Sequence, residues 1–134
     1  MIRRLLSVTA VAAGLSLAGA ETAAAQQGMA GMHHPKGTQR TISGTVVDVS
    51  CRFGQGLSGD SHRECAQICA GKGIPLAILG TDGKLYIPTS TAMPGDGQND
   101  RLKDFAEQQV TVTGTVFAAA GANAIRIATI QRKP

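Results

Sequence analysis

The sequence predicts a mainly β fold with two short helices, in which five strands close into a small barrel. Three observations point there. Residues 41–49 and 109–118 each alternate in polarity around a glycine, Gly44 and Gly114, as bent barrel strands do. Asp82-Gly83 stands between two apolar runs, the pair that a tight β-hairpin turn favours. A short amphipathic stretch with Leu102, Phe105 and Ala106 at i, i+3 and i+4 separates the third apolar run from the fourth.

At the start of the chain, Arg3 and Arg4 precede an apolar run over residues 5–20, and Ala23-Ala24-Ala25 supplies the small side chains that a signal peptidase accepts. Residues 1–25 therefore read as a secretory signal peptide. The run falls short of the roughly 20 residues a membrane span requires, so no span is expected after cleavage. Residues 26–40 carry glycine, proline and polar side chains without apolar periodicity and read as a flexible arm. Within it Met29, Met32, His33 and His34 offer thioethers and imidazoles, auxiliary ligands of a kind that suits copper.

The barrel domain is expected over residues 41–134. Its first strand carries Ile42, Val47 and Val49, with Gly44 marking a bulge or bend. The stretch that follows, residues 51–69, holds all three cysteines and one of the three histidines. A helix is expected over residues 62–71, opened by a Ser61–Glu64 capping box and stopped at Gly71 or Gly73. On it His62, Cys65 and Cys69 stand at i, i+3 and i+7, within a stripe of roughly 60°. Cys51 lies upstream, and Gly54, Gly56 and Gly59 give the intervening loop freedom to return its sulfur to that face.

Strands follow over residues 76–79 and 85–87, then a proline- and glycine-bearing loop over 88–98. Asn99 or Asp100 is placed to cap the second helix, which runs to about Glu107. The last strands cover residues 109–118 and 124–130, joined by a turn at 121–123. Five strands with a helix between the third and fourth is the order of an OB-fold barrel. The cysteine helix becomes an insertion between strands one and two.

Charge and composition exclude several functions. The chain carries 13 Lys and Arg against 9 Asp and Glu, a net charge of +4, and apart from the pairs Arg3-Arg4 and Arg132-Lys133 the basic residues are scattered singly. That makes no stripe for a phosphate backbone. Phe53, Tyr86, Phe105 and Phe117 are the only aromatic residues, too few for a base-stacking platform, so no nucleic-acid partner is expected.

The patterns G-x-V-x-D-x-x-C (Gly44, Val46, Asp48, Cys51), H-x-x-C-A-x-x-C (His62, Cys65, Ala66, Cys69), G-x-P-L (Gly73, Pro75, Leu76) and D-G-x-L-Y (Asp82, Gly83, Leu85, Tyr86) resemble a group of small exported bacterial proteins. The likeness covers about residues 41–131. It implies an OB-like barrel and a periplasmic or secreted location, and it brings no established activity with it. The Met-His arm lies outside the shared pattern.

Three chemistries are open to the cysteine stretch. Cys51, His62, Cys65 and Cys69 are soft donors that suit copper(I), content with two or three of them, or zinc, which takes four. Alternatively Cys51, Cys65 and Cys69 supply a disulfide, which in an exported module would tie the insertion to the barrel and contribute about 2–4 kcal/mol. Three cysteines leave one over, which points to a ligand, an intermolecular bond or a redox role. A thiol-disulfide protein is the third reading, with Cys65 attacking and Cys69 or Cys51 resolving, although the C-x-x-C of thioredoxin-like helices is absent. No serine elbow and no phosphate loop occurs, so no other enzyme is expected. The reading is an exported, non-enzymatic binding protein for copper or, second, zinc; its partner is the metal ion or a periplasmic protein.

Overall fold

A computed structural model describes residues 35–134; the expected signal peptide and the arm residues Met29, Met32, His33 and His34 lie outside the described residues. Five strands, β1 (Thr38–Asp48), β2 (Leu76–Gly80), β3 (Leu85–Pro88), β4 (Gln109–Ala119) and β5 (Ala122–Arg132), close in the order β1-β2-β3-β5-β4. This is the OB-fold arrangement, with β3 and β5 running parallel and every other pair antiparallel. β1 begins earlier than expected, because Thr38, Gln39 and Arg40 continue the ladder against Val116, Thr115 and Gly114 of β4.

β1 serves two neighbours. Thr38–Thr45 pair with β4, whereas Gly44–Asp48 pair with β2, so the strand hands over at Gly44. A Cβ at Gly44 would lie 2.5 Å from the Leu79 carbonyl oxygen. Only glycine lets the two backbones approach that closely. The β4–β5 ladder slips register between Thr113 and Gly114, the expected irregularity on the other long strand.

Ile42, Val46, Ile78, Tyr86, Val110, Val112, Val116, Ile125 and Ile127 fill the barrel. The alternation seen in the sequence is the inward and outward alternation of these strands. In the β2–β3 turn Gly83 takes φ +76°. Asp82 accepts the Lys84 N–H at 3.1 Å and the Tyr86 hydroxyl at 2.7 Å, which explains D-G-x-L-Y as a turn wired to a core tyrosine. Between β3 and β4, α3 (Asn99–Leu102) continues as a 3₁₀ turn (Lys103–Phe105), and Leu102 is fully buried against the barrel.

The insertion between β1 and β2 holds more helix than expected. A helix α1 (Val49–Gly54) starts directly at the end of β1, where Asp48 is its N-cap and accepts the Cys51 N–H at 2.9 Å. Cys51 therefore sits on a helix rather than at a strand end. A 3₁₀ turn (Asp60–His62) leads into α2 (Arg63–Gly71). The Ser61–Glu64 capping box does not form, because the turn itself satisfies the helix entry through His62 N–H to Gly59 carbonyl at 2.9 Å. At the other end Gly73 takes φ +92°, with Gly73 N–H bonded to Ala70 and Ile74 N–H to Cys69. That is a Schellman ending, as the glycine spacing suggested.

Candidate metal centre

Two helices converge on the cysteines. α2 turns its small residues Ala66 and Ala70 into the molecule, so the helix seats closely on the barrel. Cys65 and Cys69 each precede one of those alanines by one residue, about 100° around the helix, and thus lie along the edge of the buried face. α1 brings Cys51 close to both. The three sulfurs lie within 4.8 Å of one another, Cys51 buried, Cys69 half-buried and Cys65 exposed. All three are free thiols.

His62 joins a different set. Its ring groups with the Asp48 carboxylate and the Cys51 sulfur, again within 4.8 Å, and all three residues are buried. The expected quartet of Cys51, His62, Cys65 and Cys69 is thus two overlapping trios that share Cys51. The physical reason is the 3₁₀ turn: His62 ends that turn instead of opening α2. The turn aims it toward the end of β1, while Cys65 and Cys69 follow the helix.

Two residues to which the sequence assigned only a helix cap and a helix end support the centre. Glu107 is buried, takes φ +59°, and is held by its own N–H on the Val46 carbonyl at 2.8 Å. Its carboxylate accepts Gly59 N–H at 2.9 Å and His62 Nδ1 at 3.3 Å. An ionised carboxylate can only accept, so this contact puts a hydrogen on Nδ1, and the tautomer that does so without a second ring proton leaves the lone pair on Nε2. Asn99 does not cap its own helix. Its Oδ1 accepts Leu76 N–H at 3.0 Å, and its Nδ2 donates to the carbonyls of Ala70 at 2.9 Å and Ile74 at 2.8 Å. The amide therefore clamps the end of α2 to the start of β2.

The electrostatics favour a cation. Burial, and after it the Asp48 carboxylate, push the Cys69 thiol up from 9.0 to about 11. The same two causes raise Cys51. Thiolates packed beside a carboxylate are costly alone, and a positive ion among them reverses that cost by making deprotonation favourable. Two buried acceptors, Asp48 Oδ2 and His62 Nε2, have no hydrogen-bond partner. Native interiors rarely leave such atoms unanswered. The Cys, His and Asp groups are therefore close enough, and of the right chemistry, to hold a metal ion.

Among the described residues, no helix is long and apolar enough to cross a membrane. No protein-family model, curated protein or solved structure matches the chain.

Proposed function

We propose that this chain is an exported metal-binding protein whose insertion takes a soft transition-metal ion, copper(I) before zinc, on Cys51, Cys65 and Cys69. The observation that carries the reading is the trio of free thiols within 4.8 Å of one another. A three-thiolate set satisfies copper(I), whereas zinc asks for a fourth ligand that this trio does not contain. The graded exposure, from open Cys65 to buried Cys51, gives an ion a first contact and a route inward. Export, as the resemblance implies, would put the protein where copper and oxidants both occur, and Met29, Met32, His33 and His34 are of the right softness to serve as auxiliary ligands.

The same proximity favours a second reading, in which Cys51 pairs with Cys65 or Cys69 as a staple. One experiment separates the two. The protein is purified from its exported compartment without reductant, and intact mass is read before and after thiol alkylation, with metal analysis of the same sample. Three alkylatable thiols, together with copper that is lost in both Cys65→Ser and Cys69→Ser, support the metal reading. A single alkylatable thiol and no metal would replace it with the staple.

A further inference from the structure

The thiol trio leaves the second group unexplained. Asp48 is fully buried and His62 nearly so, yet Asp48 Oδ2 and His62 Nε2 find no donor. Asp48, Cys51 and His62 each place one ligand atom, a carboxylate oxygen, the Sγ and a ring nitrogen, within 4.8 Å of the others. The rest of each side chain is already committed. Asp48 Oδ1 caps α1, and His62 Nδ1 is spoken for by Glu107. The free atoms are thus held in place by bonds made on the far side of each group, the arrangement by which outer carboxylates orient a ligating imidazole.

A tetrahedral ion with bonds of about 2.0–2.3 Å sets its ligand atoms roughly 3.3–3.8 Å apart, so a small inward shift would complete such a set. Carboxylate, imidazole and thiolate together suit a borderline divalent ion better than copper(I), which favours sulfur. Because Cys51 belongs to both trios, its sulfur stands between the two positions.

We propose that the insertion is a two-ion centre, in which a zinc-class divalent ion is held by Asp48, Cys51 and His62 beside the soft ion on Cys51, Cys65 and Cys69, with the Cys51 thiolate bridging them. The soft-ion half rests on the function proposed above, and the divalent half stands on its own ligands. Glu107 is a positioning residue for His62.

The test uses the full-length exported protein, reduced and metal-free under anaerobic conditions. Copper(I), supplied as its acetonitrile complex, is titrated first, and cobalt(II) follows as a spectroscopic stand-in for zinc. The expected result is one copper(I) and then one cobalt(II) per chain, the latter with thiolate charge-transfer and tetrahedral d–d bands. Asp48→Asn keeps a competent helix cap and so preserves α1. That variant and His62→Gln should lose cobalt(II) while retaining copper(I). Glu107→Gln should weaken cobalt(II) by about 10–100-fold with copper(I) unchanged. Cys65→Ser combined with Cys69→Ser should do the reverse, losing copper(I) and keeping cobalt(II). One-for-one displacement of copper(I) by cobalt(II), or absence of the cobalt bands in the unmodified protein, would overturn the two-ion centre and leave the thiol site standing. Copper(I) binding that survives the double substitution Cys65→Ser and Cys69→Ser would instead remove the soft-ion reading without touching the divalent one.

Discussion

The Tyr86 hydroxyl donates to the Asp82 carboxylate at 2.7 Å, linking a ring buried in the barrel to the turn between β2 and β3. This bond holds the Asp82 carboxyl below its ordinary 3.8, while burial, followed by the same bond, raises the Tyr86 phenol above 10.0. A depressed carboxyl contributes stability that is present above pH 3.8 and fades as pH falls through the lowered value. A raised phenol contributes below pH 10.0 and fades as pH rises through the elevated value. The stability difference between the native protein and Tyr86→Phe should therefore form a plateau at neutral pH that narrows at both extremes. Urea titrations across pH would show it, and a difference that does not vary with pH would contradict the assignment.

Asn99→Ala should destabilise the protein by about 1–3 kcal/mol, because Leu76 N–H and the Ala70 and Ile74 carbonyls lose their partner together. Asn99→Asp should do no better. It keeps the acceptor for Leu76 but points a carboxylate at two carbonyl oxygens. Equilibrium denaturation of both variants reads this, and stability equal to the native protein in either would discount the clamp.

The β4–β5 hairpin turns through Ala120 at φ +51° and Gly121 at φ +77°, both left-handed. Alanine accepts that conformation at a cost of about 1–2 kcal/mol, which asparagine largely avoids. Ala120→Asn creates the Asn-Gly pair that such turns favour and should raise stability by about 0.5–1 kcal/mol. A thermal melt with unchanged or lowered midpoint would argue against this turn geometry.

The three thiols should differ in reactivity in the order of their exposure. With reduced, metal-free protein at neutral pH, iodoacetamide should label Cys65 first, Cys69 more slowly because burial and Asp48 hold its thiol protonated, and buried Cys51 last. Prior addition of copper(I) should slow all three. Peptide mapping by mass spectrometry gives the order, and preferential labelling of Cys51 would contradict the burial described.

Much of the barrel was legible because its causes are local. Glycine at 44 and 114, alternation around it, and an Asp-Gly turn each announce themselves within a few residues. The thiol cluster was legible for the same reason, since helical spacing aligns Cys65 with Cys69. What stayed hidden depends on distant contacts. Glu107 meets His62 across 45 positions of sequence, and nothing near it distinguishes it from an ordinary helix-end carboxylate. Asn99 looked like a cap, but three backbone groups of the insertion outcompeted its own helix. α1 is hidden in the sequence because Val47, Val49 and their neighbours prolong a strand pattern. The signal was the D-x-x-C spacing of Asp48 and Cys51, a cap with the N–H that it accepts.

Asp48 and Leu76 face each other as direct partners in the β1–β2 ladder, although the whole insertion lies between them in the chain. Such partners sit about 5 Å apart, the span of an ordinary hairpin. The insertion thus leaves and re-enters through a doorway no wider than a tight turn, and it behaves as a cassette. A short loop could take its place and leave the five strands paired, and a recipient barrel with an acidic residue at the end of its first strand could accept it. Glu107 and Asn99 are the sockets that such a transplant would have to bring along.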